Sequence, residues 1–365
     1  MIGHRPEKRD TAPAPLRPLP AQPAGVPWPA DDWPVGELPT GASGVELARL
    51  LDATFAEPQP ATTVQTNALL IVHRGRLVAE RYAPGIGRED AQPSWSMAKS
   101  MLHAAVGVLV RDGTLDVRAP APVPEWQAAG DPRAAITLDA LLHMTSGLRF
   151  REDYVDEQVS DVIQMLFRQG AEDMAAFAAS FPLEHAPDTA FNYSSGTSNI
   201  VSGIVARAVG AGRTARPGDA YRAFLRRALF DRIGMRSADP RFDRAGNWIA
   251  SSFCFCTARD FARFGLFCLR DGVWAGERIL PEGWVAYGRT PAPVQPADEE
   301  YGYGAHWWLL GDDLQTFFAD GYLGQLLFLV PPLDLIVVRL GATPVERSAH
   351  VFALARRIID LFRDA

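Results

Sequence analysis

The chain of 365 residues has almost no lysine: only Lys8 and Lys99 occur among its 36 basic residues, and all the others are arginines. Arginine keeps its proton in proteins because its pKa lies above about 12, whereas a lysine can act as a base when burial lowers its pKa. Position 99 therefore raises the question of what an arginine could not do there.

The chain also has few cysteines, a negative net charge and no long apolar run. The three cysteines, Cys254, Cys256 and Cys268, cannot build a disulfide framework or a common zinc pattern, so we expect them to be buried packing residues. The net charge of −7 gives no global positive field for nucleic acid or an anionic membrane. No segment reaches the roughly 20 apolar residues of a membrane span, and no secretory signal is visible. The sequence therefore predicts a soluble, cytoplasmic protein without nucleic-acid or membrane partners.

Hydrophobic residues make up 47% of the chain, enough for one large or two ordinary domains. Residues 1 to about 40 are rich in proline, which predicts an extended arm without core residues. Two β-rich runs around Arg74-Gly75 predict an antiparallel hairpin. The segment 96–112 predicts a central helix that is apolar around most of its girth and ends at Gly113.

Strand signals return only near the C-terminus, in short runs at 304–310, 315–319, 325–330 and 335–340, before an amphipathic helix. The middle of the chain shows helical periodicity between Pro and Gly turns. We therefore predict an α/β fold in which one antiparallel sheet, built from N- and C-terminal strands and flanked by helices, carries an inserted, mostly helical domain. The expected units are a proline-rich N-terminal extension at 1–60, a discontinuous α/β domain at 61–118 and 250–365, and a helical domain at 119–249.

The strongest chemical signal is the segment Ser96-Met97-Ala98-Lys99 at the start of the predicted central helix. An offset of three residues puts the hydroxyl and the ammonium on one helix face, within hydrogen-bond reach. A serine is a weak nucleophile until a base removes its proton, and a lysine with a lowered pKa can be that base. The alternative is a solvated lysine behind a helix-capping serine. A phosphate loop is excluded, because Pro93 and Ala98 occupy its glycine positions.

Two further segments can border a cleft beside this pair. Tyr193, in Tyr193-Ser194-Ser195-Gly196, precedes an apolar helix expected near Asn199, and beside a lysine cation its phenolate would become accessible near neutral pH. The alternative is a core tyrosine next to a capping serine pair. The turn from Gly321 to Gln325 has glycines that permit close approach of a substrate and expose backbone N–H donors, although by itself it is an ordinary β-turn.

These three segments, in this order, resemble the serine β-lactamase and penicillin-recognising superfamily, in particular its class C-like branch. The resemblance extends from about residue 67 to the C-terminus, with supporting segments at Leu141–Leu148, Thr257–Gly265, Asp271–Trp274 and Tyr301–Gly304. Within the branch, the chain is most similar to 6-aminohexanoate-dimer hydrolases and related, family VIII-type carboxylesterases in the segments Trp95–Ser100, Glu152–Tyr154 and Gly321–Gln325. The resemblance implies a β-lactamase/transpeptidase-like fold.

The resemblance also implies catalytic roles. Ser96 would be the acylated nucleophile, Lys99 its proton acceptor or electrostatic partner, and Tyr193 the residue that shuttles a proton to the leaving group. The backbone N–H groups of Ser96 and Tyr322 would form the oxyanion hole, and Gly321 would provide clearance.

Substrate contacts follow from the same resemblance. Tyr154 matches a tyrosine that contacts the leaving nitrogen of an amide in the oligomer hydrolases. Ser195 stands where class C β-lactamases carry an asparagine, and is a second substrate-binding candidate. Ala319 stands where they carry a lysine, so the usual partner of a β-lactam carboxylate is missing. Weak or no β-lactamase activity is expected, while ester or linear amide hydrolysis stays open.

The sequence thus predicts a serine hydrolase that cleaves a small-molecule ester or linear amide through an acyl-enzyme on Ser96, with no cofactor and no metal. Two alternatives remain: a peptidase or D-amino-acid amidase on the same scaffold, and a non-catalytic ligand-binding homologue. The oligomeric state stays open, a homodimer included.

Overall fold

The structure is a computed structural model that describes residues 15–56, 65–154, 156, 158–210, 216–297 and 300–363. The start of the proline-rich extension, with Lys8, lies outside these ranges. The helices are α1 (Gly44–Thr54), α2 (Ala98–Arg111), α3 (Leu138–Leu142), α4 (Asp161–Phe167), α5 (Met174–Ala179), α6 (Ser195–Ala208), α7 (Asp219–Leu225), α8 (Ala258–Leu269), α9 (Trp284–Gly288) and α10 (Ser348–Arg363). The strands are β1 (Gln65–His73), β2 (Arg76–Tyr82), β3 (Gln92–Pro93), β4 (Asp239–Pro240), β5 (Cys254–Cys256), β6 (Val273–Trp274), β7 (Glu277–Arg278), β8 (Gly302–Tyr303), β9 (Trp308–Leu309), β10 (Phe317–Gly321), β11 (Gln325–Val330) and β12 (Leu335–Ala342).

Seven strands form one antiparallel sheet in the order β2-β1-β12-β11-β10-β9-β8. Its centre joins the two ends of the chain, because β1 pairs with β12 from Gln65 opposite Ala342 to His73 opposite Leu335. The β1–β2 hairpin turns at Arg74-Gly75, where φ values of 50° and 72° suit a type I′ turn. The predicted α/β fold with an antiparallel sheet from both chain ends is confirmed.

The central strands are buried on both faces. Along β1, Ala68, Leu70 and Val72 pack into the larger core, which includes α2 and α8, whereas Leu69 and Ile71 pack into a smaller core with α1 and α10. This alternation follows from the two-residue period of a strand, and β11 and β12 show it as well. The sheet therefore lies between two helical layers.

Helix α2 occupies the middle of the larger core, as its apolar sequence predicted. Every residue from Ala98 to Leu109 is buried, and the chain leaves the helix at Gly113 with φ 69°. Helices α3 to α7 correspond to the predicted helical segments of the middle of the chain. Helix α6 begins earlier than the expected Asn199, because Ser194 Oγ accepts a hydrogen bond from the Thr197 N–H at 2.9 Å and caps it.

The proline-rich arm contributes to the core, so the expectation of an arm without core residues is wrong. Trp33 is 4% exposed, and its indole N–H donates to a backbone carbonyl of α8. The arm's carbonyls accept hydrogen bonds from two buried arginines: Arg263 donates to Pro29 O at 2.7 Å and Arg270 to Pro20 O at 3.3 Å. An extended proline-rich chain has no internal hydrogen bonds, and arginine side chains supply the missing donors.

The predicted strand at 304–310 is largely wrong. Only its last part, Trp308–Leu309, pairs as β9, and β8 lies before it. Between them the chain turns, because the Gly304 N–H donates to Trp307 O at 2.8 Å and His306 adopts a φ of 56°.

The three cysteines are buried and unpaired, as predicted. Cys254 and Cys256 lie on one face of β5 with their sulfur atoms 3.7 Å apart. In the ranges given above, no helix is both long and apolar enough to span a bilayer.

Candidate active site

Ser96 lies in a short 3₁₀ turn, Trp95–Met97, that leads directly into α2. Ser94, directly before the turn, is bonded to the start of β5 and the residues that precede it. The Cys254 N–H donates to Ser94 Oγ at 2.9 Å, and Ser94 Oγ donates to Ser252 O at 3.2 Å. Trp95 has a φ of 44°, which side chains other than glycine adopt rarely, and such backbone strain clusters at functional sites. The result is a fixed, partly exposed serine at a helix N-terminus.

Lys99 is 2% exposed, so the alternative of a solvated lysine is wrong. Its Nζ donates to Ser96 Oγ at 2.9 Å, to Ser195 Oγ at 3.2 Å and to Ser251 O at 2.8 Å. Burial lowers the pKa of Lys99 to about 8, while the negative charge of Glu152 acts in the opposite direction. The ammonium is thus held beside the serine hydroxyl and releases its proton close to neutral pH.

Tyr193 stands on the other side of this lysine. Lys99 Nζ lies 4.9 Å from the centre of the Tyr193 ring, over its face, and Trp308 stacks on the same residue at 5.3 Å. Burial and the neighbouring Tyr303 raise the pKa of Tyr193 well above its usual value, although a hydrogen bond with Ser96 lowers it. Burial and Tyr303 thus oppose the phenolate that the sequence led us to expect near neutral pH, and the Lys99 cation lies over the ring face.

Sequence reasoning missed Glu152, which completes the polar network. Ser195 donates to it twice, from Oγ to Oε1 at 2.5 Å and from N to Oε2 at 2.8 Å, and Tyr154 donates its hydroxyl to Oε1 at 2.8 Å. The carboxylate thus lies at the N-terminus of α6, where the helix dipole favours negative charge. The only signal in the sequence was its place beside Tyr154.

Ser195 lies inside the protein and not at the cavity surface. It is 0% exposed and bridges Lys99 to Glu152. We therefore expect it to act through Lys99, not through the direct substrate contact that the resemblance implied.

The glycine-flanked turn between β10 and β11 contacts the segment that precedes Ser96. A Cβ on Gly321 would lie 2.4 Å from Ser94 O, so a glycine is required for this close approach. The Tyr322 ring meets Trp95 edge-on at 5.2 Å. Gly321 O accepts from the Gly324 N–H at 3.1 Å, and in a trans peptide the Tyr322 N–H then points the opposite way, out of the turn.

A cavity of about 710 Å³ opens above these residues, lined by Ser96, Tyr154, Tyr193, Trp308, Tyr322 and Phe352 among others. Tyr154 and Tyr322 stack at 5.2 Å with an angle of 16° between their rings. Four carboxylate residues, Glu152, Asp153, Glu300 and Asp320, also border it, and its described lining contains no lysine or arginine. A neutral or cationic ligand with apolar parts suits such a wall.

An antiparallel sheet from both chain ends, a run of helices between its strands, and a serine with a buried lysine one helical turn apart are typical of the penicillin-recognising class of folds. The chain belongs to the β-lactamase family, since the sequence model of that family matches residues 51–358. The predicted resemblance is confirmed.

The similar proteins include some named as 6-aminohexanoate-dimer hydrolases and one named as a carboxylesterase. The chain is 28% identical over 310 residues to a 6-aminohexanoate-dimer hydrolase of Paenarthrobacter ureafaciens, covering 80% of this chain and 77% of that one. A proposed 6-aminohexanoate-dimer hydrolase from Bacillus anthracis shares the fold with a TM-score of 0.71 and 22% identity, over 92% of this chain and 88% of that one. A family VIII carboxylesterase shares it with a TM-score of 0.62 and 16% identity, over 87% and 99%. The protein is thus a member of a β-lactamase-fold hydrolase family.

Proposed function

We propose that the protein is a serine hydrolase that cleaves an ester or linear amide bond through an acyl-enzyme on Ser96. The observation that carries this proposal is the buried amine of Lys99, 2.9 Å from the Ser96 hydroxyl and with a pKa lowered to about 8. A serine nucleophile needs an adjacent base, and a lysine with a lowered pKa within hydrogen-bond distance can be that base.

Acylation begins when neutral Lys99 takes the Ser96 proton and Ser96 Oγ attacks the carbonyl carbon. The N–H groups of Ser96 and Tyr322 stabilise the oxyanion that forms. When the carbon–oxygen or carbon–nitrogen bond breaks, Tyr193 gives its phenolic proton to the leaving alcohol or amine and recovers one from the Lys99 ammonium. One proton has then moved from Ser96 to the leaving group, and the acyl group is bonded to Ser96.

Deacylation repeats the transfer with water. Water adds to the acyl carbonyl while its proton passes to the Tyr193 and Lys99 pair, and collapse of the second oxyanion returns a proton to Ser96 Oγ. The free acid leaves, and the amine of Lys99 is neutral again.

The cavity favours substrates without a negative charge near the scissile bond. Ala319 replaces the lysine that class C β-lactamases carry, and carboxylates border the cavity. A β-lactam carboxylate would therefore lose a charge-assisted hydrogen bond, a loss of about 10- to 100-fold in binding. Linear amides are supported by the relative named for 6-aminohexanoate dimers, and esters by the fold shared with the carboxylesterase.

A substrate panel tests this proposal. We expect the wild type to hydrolyse p-nitrophenyl esters, to cleave short linear ω-amino amides more slowly, and to act on a chromogenic cephalosporin about 10- to 100-fold less well than on the esters. A fluorophosphonate should leave one adduct, mapped to Ser96 by peptide mass spectrometry. Saturable binding of the same compounds with neither turnover nor adduct would favour the non-catalytic alternative. A panel cleaved only at D-amino-acid amides would favour the amidase.

The pH profile tests the Lys99 base and the influence of Glu152. Because neutral Lys99 is the active form, kcat/KM should rise with pH and reach half its maximum near pH 8. The Glu152 charge raises the pKa of Lys99, so Glu152→Gln should move this midpoint to lower pH. Glu300→Gln is the matched control, since Glu300 borders the same cavity but pairs with Arg356. An equal shift in both variants, or none in Glu152→Gln, would contradict the coupling.

A further inference from the structure

Arg339, on β12, is a buried cation that neither the motifs nor the mechanism uses. It is 1% exposed, and in the part of the chain that the structure describes it forms no ion pair with a carboxylate. Burial lowers its pKa, but the guanidinium stays charged at neutral pH. A buried charge without a partner of opposite sign is costly, so its hydrogen bonds need an explanation.

Neutral oxygen atoms satisfy the whole guanidinium. Nη1 donates to Gly324 O at 2.7 Å and to Leu323 O at 3.3 Å, both in the turn that follows β10. The other donors reach Gln65 O at 2.6 Å, Thr343 Oγ1 at 2.6 Å and Thr66 Oγ1 at 3.1 Å. Arg339 therefore ties the turn to the centre of the sheet.

The same turn is fixed from a second direction. Gln325 Nε2 donates to Tyr322 O at 3.2 Å, and the Gln325 amide is itself held by Gly341 through bonds of 2.5 and 3.0 Å. The Thr343 N–H adds a bond to Leu323 O at 2.9 Å. The carbonyl groups of residues 322 to 324 thus all point toward the sheet, where donors hold them.

The geometry of the peptide group links this anchoring to the direction of the Tyr322 N–H. Leu323 O and the Gly324 N–H belong to one trans peptide and point in opposite directions, so the bond from Arg339 to Leu323 O directs that N–H toward Gly321 O. The Tyr322 N–H already points out of the turn, because Gly321 O bonds inward to Gly324. The Tyr322 ring contacts Trp95, the neighbour of Ser96, so this turn lies next to the serine.

We propose that Arg339 is a positioning residue for the oxyanion hole: it holds the turn so that the Tyr322 N–H faces the substrate carbonyl. This assignment rests on the proposed serine-hydrolase function. It explains an arginine at this place, because only its planar five-donor fork can serve three backbone carbonyls and two hydroxyls, whereas a lysine has three donors.

A comparison of an oxygen ester with its thiono analogue tests whether Arg339 positions the oxyanion hole or only stabilises the fold. Sulfur is a weak hydrogen-bond acceptor, so an intact oxyanion hole accelerates acylation by a p-nitrophenyl ester far more than by its thiono analogue. In Arg339→Lys we expect kcat for the oxygen ester to fall about 10- to 100-fold with KM little changed, since misplaced groups cost about that much. The ratio of oxygen-ester to thionoester rates should fall with it. Thr343→Val, which removes only one acceptor of Arg339, should give the same trend more weakly.

Arg263→Lys is the matched control, because Arg263 is a buried arginine that pairs with Asp260 and does not contact the turn. It should leave the rate ratio at the wild-type value even if the melting temperature falls. Equal losses for both esters in Arg339→Lys, or an unchanged ratio in both test variants, would overturn the positioning role while leaving the serine mechanism intact. Acylation of the wild type that does not depend on Ser96 would overturn the proposed function, and this role with it.

Discussion

Replacing Ser96 with alanine is expected to lower kcat for every ester and amide substrate by about 10⁴- to 10⁶-fold, the loss seen when a serine nucleophile is removed. The acyl group would have no oxygen to bond to, and the remaining N–H donors and lysine can only polarise the carbonyl. The fluorophosphonate adduct should vanish as well. Stopped assays at high enzyme concentration, combined with intact-protein mass spectrometry, measure both effects.

The fold should survive this change, because Ser96 is partly exposed and the turn is held through Ser94. Ser202→Ala provides the control: Ser202 is a buried serine of α6 that bonds to Trp248 O at 2.6 Å, away from the cavity, and its loss should leave kcat near the wild-type value. Turnover by Ser96→Ala at more than about a hundredth of the wild-type rate would require a different nucleophile.

Lys99→Arg is expected to reduce kcat by about 10³-fold or more, although it keeps the positive charge. General base catalysis contributes about 10²- to 10⁴-fold, and an arginine cannot accept the Ser96 proton because its pKa stays above about 12. The three acceptors around Nζ, at 2.8 to 3.2 Å, also leave no room for a guanidinium. The pH profile should lose its midpoint near pH 8.

Size and proton exchange can be separated with Lys99→Met, which keeps the length of the side chain and removes its charge. We expect both variants to be inactive, and Lys99→Met to melt below the wild-type temperature, because the three acceptors around Nζ lose their donor. If Lys99→Arg kept most of the wild-type activity, Lys99 would not be the base. An active Lys99→Met would exclude even an electrostatic role.

The local part of the site was predictable, and so was most of the fold. Ser96 and Lys99 lie within one helical turn, so their contact follows from helix geometry alone. The β1–β2 hairpin and the strands β10, β11 and β12 were predicted from short runs of β-branched and aromatic residues between turn residues, and the structure has strands there. The strand predicted at 304–310 is largely wrong, because a turn at His306 interrupts an apolar run whose composition is typical of a strand.

Residues whose role depends on packing could not be predicted. Glu152 is an ordinary acidic residue in a loop until tertiary contacts carry it to the first turn of α6. The ionisation state of Tyr193 depends on whether Lys99 meets its hydroxyl or its ring face, which side-chain packing decides. Arg339 is one of many arginines in the chain, and only the structure shows that it is buried behind the turn at Tyr322.

The pairing of β1 with β12 also sets the order in which activity can arise during synthesis. A ribosome releases β1, Ser96 and helices α3 to α7 before β10, β11 and β12 exist. Contacts between such distant parts of a chain form late, because closing a long loop costs entropy before the pairing is gained. The nascent protein thus carries its serine and lysine without the donors of Tyr322 or the guanidinium behind them. We expect hydrolysis to begin only once the last strand has docked, so that no half-made chain acylates itself on the ribosome.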